Sequence, residues 1–238
     1  HAITMGRLFL IRIISTLFCL LSTGRAFSPS LRYVHRLSRG PVRATVPLFS
    51  SSPAVLDTAD GLITYSSEQS GVNLTLTTFG PAYRAVARSM SNSTNVLGYC
   101  AGFIRPTGSI LHMDTMEVFR PALKRAREED TTGKFSNGGT IFGVGLLLGL
   151  LCIRHGMNNG CRKVEFLAID DGDRQHVILV RHYRRLGLRV VRYVGDGLLD
   201  VPDRMVWGGR GTLMEGGAED LMEKWAPTFA FDETPEGV

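Results

Sequence analysis

Gly138-Gly139-Thr140-Ile141-Phe142-Gly143-Val144-Gly145-Leu146-Leu147-Leu148-Gly149-Leu150 is the stretch on which the reading of this chain turns. Glycines crowd its first half and leucines its second. A backbone without Cβ atoms lets amide groups approach an anion closely. A helix that starts there adds its unpaired N–H groups and the positive end of its dipole. The stretch therefore reads as an anion-cradling loop that runs into an apolar helix, from Gly143 to about Asn158, stopped by Asn158-Asn159-Gly160. The competing reading is a glycine-packed buried or membrane helix, because Gly145-x-x-x-Gly149 suits close helix contact. Thr140 and Arg154-His155 bound the apolar run and keep it short of a bilayer span.

Working outward, ordered structure is expected from about Leu62. Residues 72–78 and 82–88 alternate apolar and polar side chains, with Phe79-Gly80-Pro81 as a break. Residues 96–104 and 109–119 read as a strand pair joined by Arg105-Pro106-Thr107-Gly108. Strict alternation places His112, Asp114, Met116 and Val118 on one face of the second strand. Residues 122–130 are charged and read as helical, and 164–169 as a buried strand. Asp170-Asp171-Gly172-Asp173 opens a helix from about Arg174 to Leu186, ended by Gly187. A strand over 188–194, a last strand over 204–208 and a short helix over 218–225 complete the pattern. Antiparallel strands followed by strand–helix–strand–helix–strand make an α/β or α+β layer protein, with helices covering a mixed sheet.

The chain has 238 residues, a net charge of +5 and 44% hydrophobic residues, ordinary for a globular domain with tails. Arg7, Arg12, Arg25, Arg32, Arg36, Arg39 and Arg43 supply the basic balance, leaving 20 basic against 22 acidic residues in the remainder. That distribution argues against a nucleic-acid partner. Cys19, Cys100, Cys152 and Cys161 show no zinc spacing, and the last three read as buried free thiols. Asp170, Asp171 and Asp173 lack the other ligand positions of a calcium loop, so they read as helix caps and no metal is expected.

With Met5 read as the start, Arg7 and Arg12 precede a short apolar core and the small residues Ser22-Thr23-Gly24-Arg25-Ala26, a signal-peptide pattern. From Phe27 to Val55 the chain is rich in Ser, Arg and Pro and has no acidic residue. Ala26-Phe27-Ser28-Pro29 resembles the junction of bipartite plastid-targeting sequences in algae with complex plastids. That resemblance implies a signal peptide over 1–26, a transit-like segment over 27–56 and a stromal destination. A plain secreted protein is the alternative, and Asn73-Leu74-Thr75 and Asn92-Ser93-Thr94 would then be glycan acceptors.

The order of the strand 109–119, the glycine loop, its helix, the strand 164–169 and Tyr183-Arg184-Arg185-Leu186-Gly187-Leu188 resembles the GNAT family of acyl-CoA-dependent N-acyltransferases. The resemblance covers about 109–212, within a domain read as 57–216 and followed by an acidic tail over 217–238. It implies a mixed, mainly antiparallel sheet covered by helices, and transfer of an acetyl group from acetyl-CoA to an amine. A catalytically inactive module that binds acyl-CoA or a partner protein is the alternative. Gly143, Val144, Gly145 and Leu146 would receive the pyrophosphate of acetyl-CoA, and Val118 would offer backbone to the acyl group. Thr140 stands where the family keeps Arg or Gln. Tyr183 would return a proton to the departing thiolate, and Asp114 or a water would take one from the amine. The family places one or two helices between its first two strands, and none is evident between Leu62 and Val96. The acceptor side is thus expected to be reduced, or completed by the tail or by a second subunit of a homodimer. No membrane insertion is expected after processing.

Overall fold

A computed structural model describes residues 54–135 and 139–229. The expected signal peptide and transit segment as far as Pro53, together with Cys19, Gly138 and 230–238, lie outside the described residues. Strands β1 (Val72–Phe79), β2 (Ala82–Ser89), β3 (Val96–Ile104) and β4 (Ile110–Val118) form an antiparallel meander. Strand β5 (Lys163–Ile169) lies parallel beside β4. Strand β7 (Gly211–Gly217) enters between β5 and β6 (Arg189–Val194), pairing antiparallel with both. The result is one seven-stranded sheet of order β1-β2-β3-β4-β5-β7-β6. It is the mixed, mainly antiparallel sheet expected above.

Helices α1 (Ala59–Ser70), α2 (Arg120–Glu129), α3 (Ile141–Asn158), α4 (Asp173–Leu186), α5 (Val201–Trp207) and α6 (Ala218–Trp225) complete the fold. Helix α3 crosses from β4 to its parallel neighbour β5, and α4 from β5 to the parallel β6. Right-handed crossovers in one direction put both helices on one face of the sheet. Neighbouring side chains on β5 confirm the division: Phe166 meets the ring of Tyr183 on α4, while Leu167 packs with Trp207 of α5 on the other face.

Helix α3 carries the core. Its 18 residues have the length and composition of a membrane-crossing segment, yet Val144, Leu147, Leu148, Leu151 and Cys152 are buried against β1–β4, α1 and α6. Cys100, Cys152 and Cys161 are buried free thiols, as expected. Helix α1 packs on β1 and α3. It was not evident in the sequence because Gly61, three β-branched or aromatic residues and three serines dilute its periodicity. Its ends carry clear signals all the same: Thr58 accepts the Gly61 N–H at 2.9 Å, and Gly71 closes the helix at φ 62°. It precedes β1. Between β1 and β2 there is only the tight turn at Gly80-Pro81, so no helix is inserted there.

The segment expected as a strand over 204–208 is instead part of α5. Pro202 in its first turn, Asp203 beside it and Gly208 at φ 72° are helix start and stop signals that outweigh the apolar alternation. The last strand begins at Gly211. Beyond Gly217 the chain stays folded as far as Phe229: Leu221, Met222 and Phe229 are buried, and the Phe229 ring meets Tyr65 of α1 edge-on at 4.9 Å.

Strand β4 contains a bulge. Ala101 pairs with Thr115 but Gly102 pairs with Met113, so Asp114 is the extra residue. Alternation therefore fails across it. Leu111 packs on Gly156 of α3, and Met116 and Val118 face Gly145 and Gly149 of the same helix, whereas His112 stacks on Trp207 on the opposite face. The shared face expected for His112, Met116 and Val118 is thus corrected by one inserted residue. Gly102 permits the bulge: a Cβ there would collide with the His112 carbonyl and lie 2.7 Å from the Tyr83 hydroxyl, which itself donates to that carbonyl. Gly102→Ala is expected to cost about 1–3 kcal/mol through this overpacking, read as a lower urea midpoint with an unchanged m-value.

Candidate active site

Strands β4 and β5 pair only from Ile110 to Met113 and from Lys163 to Phe166. Beyond that rung β4 continues to Val118 with β3 as its partner, and β5 continues to Ile169 with β7. Two adjacent parallel strands therefore part, and their facing edges no longer hydrogen-bond each other. The bulge at Asp114 marks the point of parting. Over the gap, on the α3 and α4 face, lies a cavity of about 40 Å³ between β4, β5, α3, α4 and α6.

Four of the residues singled out in the sequence meet here. Gly145, Leu146 and Tyr183 line the cavity, and Val118 sits beside Gly145. Tyr183 reaches it because α4 packs across β5, with its ring 4.4 Å from that of Phe166. The αL turn at Gly187, whose N–H bonds back to the Tyr183 carbonyl, ends the helix and fixes that turn. Burial raises the Tyr183 phenol above its ordinary value, with Cys100 adding to the effect. The hydroxyl therefore keeps its proton at any physiological pH and can donate it.

Gly143 and Val144 occupy another position. They belong to the first turn of α3, where Thr140 is the N-cap: its Oγ1 accepts the Gly143 N–H at 2.9 Å and its carbonyl accepts that of Val144 at 3.0 Å. Val144 itself is turned into the core. The first-turn amides left to face an incoming anion are those of Ile141 and Phe142. Arg127 of α2 stands at the same threshold and donates to the Gly139 carbonyl at 3.1 Å. It supplies positive charge where Thr140 provides only a hydroxyl. No local pattern in the sequence linked it to the glycine loop, because α2 and the connection that follows intervene. Thr140→Val removes the cap and is expected to cost about 1 kcal/mol, checked by chemical denaturation.

Asp114 is half-buried at the parting of the strands and accepts the Thr115 hydroxyl at 3.1 Å. His112 turns away from the cavity. It is fully buried between the Phe103 and Trp207 rings, 4.3 and 3.9 Å away, with Nδ1 2.8 Å from Glu165. Arg105 closes on the same carboxylate. Phe142, at the start of α3, has the His182 ring at 5.7 Å and the ring of Trp225, which lines the cavity, at 5.3 Å.

Asp170 does not cap α4 as expected. The N-cap is Gly172, with no side-chain cap bond. Asp170 instead accepts the Tyr193 hydroxyl and lies 3.5 Å from His176, whose Nε2 is 2.9 Å from the Thr212 hydroxyl. This polar cluster ties the start of α4 to β6 and β7.

No family model and no curated protein matches this chain. Solved structures do. Ard1 from Thermoplasma volcanium aligns at 13% identity and a TM-score of 0.36, covering 56% of this chain and 69% of that one. Nourseothricin acetyltransferase aligns at 14% and 0.35, covering 63% and 85%. The aminoglycoside 6'-N-acetyltransferase from Enterococcus faecium aligns at 11% and 0.37, covering 71% and 94%. Values this low transfer no residue role to this chain.

Proposed function

We propose that this chain is a GNAT-type enzyme that transfers an acetyl group from acetyl-CoA to an amine. The observation that carries the reading is the parting of β4 from β5 beneath an apolar cavity that Tyr183 lines. A thioester needs a dry slot with backbone on either side, and a proton donor for its leaving group. In this reading the pyrophosphate lies at the start of α3, near Arg127, and the pantetheine arm runs toward Gly145. The neutral amine attacks the thioester carbonyl. The C–N bond forms, the C–S bond breaks, and the thiolate takes its proton from Tyr183. Asp114, directly or through a water, accepts the proton that the amine gives up. The acceptor meets the thioester at the end of the sheet where β4 and β5 part; the β1–β2 turn lies at the other end.

Calorimetry of the chain with acetyl-CoA, followed by thiol release across a panel of small amines, N-terminal peptides and lysine peptides, tests this. Binding with turnover supports it. Binding without turnover favours a non-catalytic acyl-CoA module, and no binding rejects both. We further propose that residues 5–55 direct the protein to a plastid through the endomembrane system. A fluorescent fusion of that segment tests it, and export of the fusion would overturn it.

A further inference from the structure

The cavity beside Tyr183 is built for more than an acetyl group. It follows α3 from Gly145 to Ile153, about 12 Å along the helix axis. Of its 14 lining residues, Tyr183 alone brings a polar group without a partner of its own, because the Trp225 Nε1 already donates to the Leu186 carbonyl at 2.9 Å. Its volume of about 40 Å³ exceeds the roughly 10–15 Å³ that one water requires, but a water there would lack the two to four polar partners that hold it. An alkyl chain has no such need.

The glycines of α3 point the same way. Gly156 is required by contact, since a Cβ there would sit 3.0 Å from Leu111 Cδ1. Gly145 and Gly149 are not. A Cβ at Gly145 would lie 3.8 Å from Val118 Cγ2, and one at Gly149 3.4 Å from Met116 Cε, both ordinary distances. Glycine inside a helix is destabilising relative to alanine. Two such residues on the cavity wall, unneeded for packing, leave space open. Met113 and Met116, unbranched and adaptable, form the facing wall.

We infer that the preferred acyl donor is a short-chain thioester of the butyryl class, whose methylenes enter this cavity from the gap between β4 and β5. The inference rests on the acyl-transfer reading above and extends it to the length of the transferred group. The bond changes are those already described, with butyryl in place of acetyl.

Titration of the chain with CoA, acetyl-CoA and butyryl-CoA tests it. Each buried methylene tightens binding roughly fourfold, so butyryl-CoA is expected to bind on the order of tenfold more tightly than acetyl-CoA. Gly149→Ala, which puts a methyl group into the cavity, is expected to shrink that ratio without lowering the melting temperature. Ile153→Val, which enlarges the far end, is expected to shift the preference toward hexanoyl-CoA. Acetyl-CoA that binds as tightly as butyryl-CoA overturns the inference and leaves the acyl-transfer reading standing. A ratio that neither variant moves also overturns it. If neither thioester nor free CoA binds, both readings fall together.

Discussion

Tyr183→Phe is expected to lower turnover by about 10²–10⁴-fold, the contribution of one positioned proton donor, while acyl-CoA affinity and melting temperature stay close to those of the parent. The phenylalanine ring keeps the contact with Phe166 and still lines the cavity; only the hydroxyl is lost. Burial holds the phenol above its ordinary value, so the parent protein should show no alkaline fall in turnover from ionisation of Tyr183 within the usable pH range. Single-turnover kinetics with acetyl-CoA and an accepted amine would separate the chemical step from product release. A variant with unchanged turnover would remove Tyr183 from the chemistry, and the thiolate would then have to draw its proton from solvent.

His112→Ala is expected to be the most damaging single change to stability, at about 3–5 kcal/mol. The imidazole fills the space between Phe103 and Trp207 and, together with Arg105, hydrogen-bonds the buried carboxylate of Glu165. Removing it leaves a cavity at the last rung before β4 and β5 part, and takes one of two partners from that carboxylate. At roughly 2–4 °C per kcal/mol for a domain of this size, the melting temperature should fall by about 10 °C. His112→Phe keeps the stack and should cost less. The same histidine sets a direction in pH. Burial lowers its pKa, against the opposing pull of Glu165, and burial likewise lowers those of His155 and His182. A histidine depressed in the folded state takes up its proton more readily when unfolded. Stability is therefore complete above the unfolded value near pH 6.5 and declines as the pH falls below it. Thermal melts between pH 5 and 8 should show that decline, less steeply in His112→Phe.

What could be read from the residues was whatever depends on near neighbours in the chain. Strand β3 and its hairpin to β4 were legible because alternation and the Pro-Thr-Gly turn agree. The apolar run of α3 was legible because so few non-helical explanations fit ten apolar residues broken only by three glycines. The order of the later elements gave the mixed sheet. The misses are of another kind. The bulge at Asp114 inserts one residue without any glycine of its own to announce it; the glycine that allows it, Gly102, is on the neighbouring strand. That single residue sends His112 to the face opposite Met116. Arg127 comes to the start of α3 only because α2 folds back, which no spacing rule anticipates. Gly143 was read as the start of the helix with its amide open to a pyrophosphate, but the Thr140 cap claims that amide. Helix α5 was misread because apolar alternation was weighed above Pro202 and Gly208.

The place of β7 has a consequence for how the molecule is made. Strand β6 has no other neighbour in the sheet, and β5 has β7 on one whole side. The chain that joins them is the last strand of the described residues. Until it emerges, β5 ends the growing sheet as an open edge and β6 has nothing to pair with, and such edges recruit other chains. A ribosome stalled or a message truncated before Gly211 would therefore release a polypeptide that holds nearly every site residue described above and still lacks the strand that closes its sheet. For this protein, loss of the chain from Gly211 onward should register as aggregation and turnover by quality control rather than as a mild defect in activity.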